Sequence, residues 1–339
     1  MSHNNKKILV ILTGGTICSC EDSAGERTSD ARSAQYKITS IFRESGSPYS
    51  NAEFDYLVST DILSENMTLK TWNKLLCDFK SLGTAEEYAG IIVLHGTDTL
   101  AYTSSLLSVM LTHLSIPTLL VSAQLPLDNA KTNGNVNFRA AVELIMNGIA
   151  PNVYAVYMNS DGNMYVHLGS HLKQCANFSD DFFSLDSHVV SDNANASWQG
   201  IAFENKVDLI SEISELKKGV LLLVPYVGLD YESINLTEAS VVVHNTYHTT
   251  AVCVERSKKT GDYTSNSILY FLDKCRKMGV DLLLAPCDSE AFSYESTGDA
   301  LQNGAMCISG KTLELAYAKT LVAHSLGLKG ESLVEFVNN

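Results

Sequence analysis

The sequence is poor in proline (6 residues), in tryptophan (2) and in basic side chains, with 24 Lys and Arg against 38 Asp and Glu and a formal net charge of −14. Phosphate contacts are made by basic clusters, so this deficit argues against nucleic-acid binding. It argues equally against attachment to an anionic membrane surface. Apolar runs such as Val220–Val224 fall far short of the roughly 20 residues that span a bilayer. Met1–Lys7 is polar and basic, and the apolar stretch after it ends at Gly14, shorter than a secretory leader needs. No Cys-x-x-Cys occurs among eight scattered cysteines, several of which lie inside apolar runs such as Ala251-Val252-Cys253-Val254. That pattern suits reduced, buried thiols, so a cytoplasmic protein is expected.

What remains is ample for folded domains. Of 339 residues, 45% are apolar and 18% charged, which excludes a disordered chain and predicts one large or two ordinary domains. Two histidine pairs lie four apart, His167/His171 and His244/His248. On a helix that spacing suits a metal. Neither pair falls in a helical pattern and no His-Glu-x-x-His is present, so both are read as hydrogen-bonding histidines, with no metal expected.

Strand and helix signals alternate from residue 7 to 150. Lys7–Leu12, Gly90–Leu94, Ile116–Ala123 and Val153–Met158 read as buried strands. Thr68–Leu82 carries Leu69, Trp72, Leu75, Leu76 and Phe79 at helical spacing, with Thr68 as N-cap and Gly83 after the C-terminus. Leu100–Leu114 and Asn135–Asn147 are further helices. The pattern fades between Ser187 and Lys218 and resumes with strands at Val220–Val224, Ser240–Val243 and Asp281–Ala285 and helices at Ser265–Met278 and Lys311–Leu326. Such alternation predicts two α/β domains, a larger N-terminal parallel-sheet domain over 1–188 and a smaller C-terminal one over 219–339, joined by a linker at 189–218.

Ligands of an open parallel sheet bind at the carboxyl ends of its strands. Two strands here end in threonine- and glycine-rich turns, Thr13-Gly14-Gly15-Thr16-Ile17 and His95-Gly96-Thr97-Asp98-Thr99. Neither a Walker loop nor a Gly-x-Gly-x-x-Gly fingerprint is present, so no nucleotide cofactor is expected. A hydroxyl nucleophile needs a base or a nearby cation to ease proton loss. Thr97-Asp98 supplies half of such a relay, and a lysine from elsewhere would complete it. Taken singly, either turn could be a tight connection and nothing more.

Together and in this order, the two turns resemble those of the bacterial-type L-asparaginase family. The likeness runs over nearly the whole chain. It is nearest the cytoplasmic type I branch, as in Ser122-Ala123-Gln124-Leu125-Pro126-Leu127 and Thr132-Asn133-Gly134-Asn135-Val136-Asn137. The resemblance implies hydrolysis of L-asparagine to L-aspartate and ammonia, without metal or cofactor. Thr16 matches the family nucleophile, and Tyr36 matches a tyrosine on the mobile loop over the site, here Ser19–Lys37. Thr97, Asp98 and Lys173 match the second threonine and its relay. Ser64 and Glu65 match the segment gripping the substrate's α-carboxylate and α-amino groups, and Ala123 the position near its amide. Glu295 matches an acidic residue contributed by a neighbouring subunit, which implies a homodimer or homotetramer.

Three positions depart from the family pattern. Cys18 stands where the family has a small residue and is expected to be tolerated; Glu65 stands where many relatives have Gln, Asp or Ser and bears on selection for a free α-amino group. His244–Thr250 replaces a glycine-rich turn. Two alternatives stay open: a glutamine-using amidase or amidotransferase subunit, and a non-catalytic amino-acid-binding relative. The amidotransferase reading is opposed by the acidic surface and by the expectation of an extra domain before the first strand, where about six residues stand here. Loss of a relay residue would mark the non-catalytic case, and all four are present.

Overall fold

The computed structural model describes residues 6–21, 27–185, 187–190, 200–203, 206–287 and 294–339. The chain forms two compact units, residues 1–214 and 215–339.

The first unit contains β1 (Lys7–Gly14), β2 (Ser19–Glu21), β3 (Arg27–Ser29), α1 (Ala31–Arg43), β4 (Phe54–Ile62), α2 (Leu69–Leu82), β5 (Tyr88–Leu94) and α3 (Leu100–Met110). It continues with β6 (Thr118–Val121), α4 (Gly134–Met146), β7 (Val153–Met158), β8 (Met164–Leu168), β9 (Ser187–Val190) and α5 (Leu209–Glu212). Seven strands make one sheet in the order β4-β1-β5-β6-β7-β8-β9. β4 through β7 are parallel, while β8 and β9 add an antiparallel edge that the sequence pattern does not predict. β1 lies between β4 and β5, so the chain leaves it in one direction and returns past it in the other. Such a reversal of strand order leaves a crevice at the strand ends.

The central strands are apolar throughout because helices cover both faces. Ile8, Val10 and Leu12 of β1 face Ala31, Ala34, Ile38 and Phe42 of α1 and Phe138, Ala141, Val142 and Ile145 of α4. Leu9 and Ile11 are equally buried and by alternation face the opposite layer, where α2 and α3 are joined by Trp72 Nε1–H donating to Thr103 Oγ1 at 3.0 Å. α2 begins as predicted, with Thr68 Oγ1 accepting from Thr71 N–H, and ends at Gly83 with φ 60°.

The loop expected over Ser19–Lys37 is largely regular structure. Residues 22–26 lie outside the described residues; on either side β2 and β3 pair antiparallel, and α1 starts at Ala31. Tyr36 therefore sits on a helix rather than a loop, with its side chain 73% exposed. The helix forms because Ala31, Ala34, Ile38 and Phe42 repeat at helical spacing and Asp30 caps it, accepting from Ser33 N–H at 3.0 Å. Parts of the 189–218 stretch lie back on the first unit: Thr112 Oγ1–H donates to Val207 O and Phe203 N–H to Pro151 O.

The second unit contains β10 (Val220–Leu223), β11 (Val241–His244), α6 (Ile268–Met278), β12 (Asp281–Leu284), α7 (Glu295–Gln302), β13 (Met306–Cys307), α8 (Leu313–Ser325) and α9 (Gly330–Asn338). Its four strands are parallel in chain order. One face packs on α6 and α7, the other on α8 and α9.

Phe42 is 2% exposed and meets Phe54 and Phe138 edge-on at 5.6 and 5.8 Å. Phe42→Ala is expected to destabilise the first unit by about 3–5 kcal/mol in urea unfolding. A change under about 1 kcal/mol would mean that α1 is not docked on this core.

Candidate active site

The two threonine turns meet at the carboxyl edge of the sheet. Gly14 and Gly15 adopt φ 108° and 78°, conformations that favour glycine. A Cβ on Gly15 would lie 2.3 Å from Gly96 Cα, and one on Gly96 only 2.4 Å from Ser64 Oγ and 3.1 Å from Gly15 Cα. Backbone therefore touches backbone between the turns, and Ser64 closes the third side. Thr16 and Thr97 each follow one of the touching glycines, and both are half-buried.

The first turn is fixed by hydrogen bonds to its neighbours. Gly15 N–H donates to Ile62 O at 2.7 Å, Thr13 Oγ1–H to Leu94 O at 2.9 Å and Thr60 Oγ1–H to Thr13 O at 2.9 Å. Residues 16–18 then form one 3-10 turn, and Ser19 Oγ–H donates to Thr16 O at 2.9 Å. Asp61, at the end of β4, accepts from Ala31 N–H at 3.2 Å and from Ser29 Oγ–H, holding the start of α1.

The second turn is locked to Ser64. Asp98 N–H donates to Ser64 Oγ at 3.1 Å, Ser64 Oγ–H donates to Asp98 Oδ2 at 3.2 Å, and Thr99 Oγ1–H donates to Ser64 O at 3.0 Å. Ser64 is buried, whereas Asp98 and Glu65 are exposed. Beneath the turn His95 is fully buried and contacts Gly96 O through Nδ1 at 2.8 Å. A carbonyl only accepts, so Nδ1 carries the proton. Burial pushes the His95 pKa down to about 4, as it does for His167 on β8. These rings are neutral at pH 7. Among the described residues no group of three or more His, Cys, Asp and Glu side chains could hold a metal.

Lys173 lies on an arch between β8 and β9, exposed, its N–H donating to Phe183 O at 2.9 Å. Among the described residues no ion pair joins it to Asp98. Its neighbour Gln174 makes the connection instead, with Nε2–H donating to Asp98 O. Ala123, buried, follows β6 and touches the start of α4, where a Cβ on Gly134 would lie 2.8 Å from its own. The structure thus brings Thr16, Ser64, Thr97 and Asp98 around one contact and Lys173 one residue from it. Among the described residues no hydrogen bond joins Tyr36 on α1 to Thr16. Glu295 belongs to the second unit, exposed at the first position of α7.

Cys18 is buried, and burial pushes its thiol up to about 12, so it is no rival to the hydroxyl beside it. Two positioning residues are not apparent from the sequence pattern. Asn133 accepts from Gln124 N–H at 3.1 Å and donates to Met158 O at 2.9 Å. Asn137 donates to Ser122 O at 2.9 Å and accepts from Met158 N–H at 2.8 Å. Together they pin the turn around Ala123 to the end of β7. Two asparagines four apart at a helix start are the available signal.

A family model described as "Asparaginase, N-terminal" matches residues 7–199, more than half of the chain. The chain belongs to the asparaginase family. It is 33% identical over 158 residues to L-asparaginase of Thermococcus kodakarensis and 32% identical over 144 residues to L-asparaginase 1 of Escherichia coli K12. These matches cover 45% and 42% of this chain and span less than half of either relative, 44% and 41%. It is also 28% identical over 207 residues to a glutamyl-tRNA(Gln) amidotransferase polypeptide of Halobacterium salinarum, covering 58% of this chain and 47% of that protein. Among solved structures, the thermostable L-asparaginase of T. kodakarensis is similar in fold. Its TM-score is 0.71 at 21% identity, over 98% of this chain and 95% of that one.

Burying His95 and His167 neutral makes the stability of this asparaginase-family chain depend on pH. An unfolded histidine titrates near 6.5, while folded His95 and His167 are held near 4, so the unfolded chain binds more protons between those values. The stability given by burying them neutral is complete above about pH 6.5 and is lost as pH falls through about 4. Urea unfolding of the first unit is expected to show a steady fall in stability from about pH 7 to about pH 4.5. A flat profile would contradict the burial of these rings.

Proposed function

We propose that the chain is an L-asparagine amidohydrolase working through a threonine acyl-enzyme. The observation that supports this reading is the contact of Gly15 with Gly96, the residues that precede Thr16 and Thr97, beside the Ser64–Asp98 hydrogen bonds. The names of the relatives supply the substrate class.

L-Asparagine is a zwitterion with a side-chain amide. The Asp98 and Glu65 carboxylates meet its ammonium through charge-assisted hydrogen bonds, and Ser64 with the turn's backbone receives its carboxylate. Thr16 Oγ then attacks the amide carbon, forming the C–O bond as the carbonyl electrons collect on oxygen and the hydroxyl proton is released for transfer to the amide nitrogen. Each preorganised donor at that oxygen is worth about 3 kcal/mol in comparable acyl transfers. Collapse breaks the C–N bond; the nitrogen takes up a proton and leaves as ammonia. Water attacks the Thr16 ester, losing its proton to the Thr97–Lys173–Asp98 relay; the Thr16 Oγ–carbon bond breaks, Oγ takes a proton back, and L-aspartate departs. Tyr36, exposed on α1, helps activate Thr16. Ala123 lines the amide end.

A homodimer or homotetramer in which Glu295 completes a neighbouring subunit's site is part of this proposal. So is a cytoplasmic setting, which suits eight free cysteines. Among the described residues no helix is long and apolar enough to cross a membrane. The amidotransferase relative favours a second reading, glutamine as amide donor, against which stands the charge of −14 facing any polyanionic RNA.

Ammonia release from L-asparagine and L-glutamine tests both readings. Thr16→Ala is expected to lower kcat on asparagine by at least about 10³-fold, with thermal stability kept. Ordinary turnover in Thr16→Ala would overturn the mechanism, and preference for glutamine over asparagine would favour the second reading.

A further inference from the structure

The arch carrying Lys173 has firm ends and little in between. Leu172 and Phe182 are buried, at 0% and 1% exposure. Asn159 holds Phe182 through both its backbone groups, at 3.0 Å each. Lys173 N–H bonds to Phe183 O and Leu185 N–H to His171 O, closing the neck. No residue from 173 to 181 is buried, and the apolar Phe178 stands fully in solvent with φ 61°. Cys175 Sγ bonds back to Ser179 O and Asp181 O, contacts internal to the arch. A segment with so few buried contacts opens at low free-energy cost unless something outside it holds it.

Gln174 supplies that hold. Its Nε2–H donates to Asp98 O, on the residue whose own N–H and carboxylate are committed to Ser64. The second turn is therefore rigid where Gln174 grips it. Lys173 itself is exposed and makes no ion pair with Asp98 among the described residues, so the lysine does not hold its own loop in place.

We infer that Gln174 is a positioning residue, which tethers the 172–182 arch to the Asp98 carbonyl and so keeps the Lys173 ammonium within reach of the Thr97–Asp98 turn. The inference rests on the relay proposed above for Lys173. It assigns Gln174 no contact with substrate. A lysine carries four rotatable bonds, so without the tether its amine samples a wide volume and the relay forms only part of the time. Displacements of about 1 Å in such positioning groups cost up to about 10²-fold in rate. Since the tether acts through the arch that carries Lys173 and touches neither Ser64 nor Glu65, it affects turnover more than substrate capture.

The test uses the full chain with Gln174→Met, which keeps length and removes the donor, and Gln174→Glu, which sets a carboxylate against the carbonyl. Steady-state ammonia release and amide hydrogen exchange are measured on each. The expected result is a fall in kcat of about tenfold with KM within about twofold of the parent. Faster exchange should be confined to residues 173–181, with the β1 and β5 amides unchanged. Full kcat in either variant, a change in KM alone, or unaltered exchange in the arch would overturn the inference. If the parent chain does not hydrolyse asparagine, the functional reading falls, and the exchange measurement still decides whether Gln174 tethers the arch.

Discussion

One close approach organises the carboxyl edge of the first unit's sheet: the backbone at Gly15 lies against the backbone at Gly96, with Ser64 filling the remaining side. Any side chain at either glycine would fall inside van der Waals contact with fixed backbone or with Ser64. The approach is available because β1 pairs with both β4 and β5, so three strand ends open on one crevice. The hydrogen bonds from Gly15 to Ile62 and from Asp98 to Ser64 then convert proximity into fixed geometry. The two turns are held against each other with no loop needed to bring them together, and preorganisation of this kind is what the proposed acyl transfer would use.

The charge-bearing groups are arranged differently from the hydroxyls. Asp98 and Glu65 are exposed and Lys173 stands on a sparsely packed arch. The polar groups that shape the turns (Thr13, Ser64, Asn133 and Asn137) are buried. A rigid hydroxyl floor beneath solvated charges suits a small zwitterion, whose ammonium exchanges water for carboxylate without forcing a charge into the core. His95 fits the same plan, because burial keeps it neutral under the second turn, where a proton would add an unpaired charge.

Much of this is legible in the residues. Buried strands declare themselves as apolar runs: Val153–Met158 is β7 as predicted, and Thr68 and Gly83 bound α2. Helix α1 is harder to see, because Ser, Asp and Arg around it read as loop; yet Ala31, Ala34, Ile38 and Phe42 carry the helical period, and Asp30 the cap. Reading that segment as a lid puts Tyr36 on a loop, whereas local capping and burial put it on a helix. The antiparallel edge of β8 and β9 is hidden since short edge strands with polar residues give weak periodicity. Thr16, Thr97 and Asp98 can be nominated from the turns alone. Ser64 and Lys173 cannot, because Ser64 meets the second turn through tertiary hydrogen bonds and Lys173 stands on a distant segment beside Gln174, which does; no local pattern encodes either, and both enter by family resemblance. Gln174 has neither route.

The central claim is that the hydroxyl at the tip of β1 becomes acylated. Acid-quenching the chain during turnover of isotopically labelled asparagine, followed by peptide mapping, tests it most directly. The account predicts a base-labile aspartyl ester on the peptide containing Thr16. An ester found instead on Thr97, or label attached to another side chain while asparagine is being hydrolysed, would contradict it.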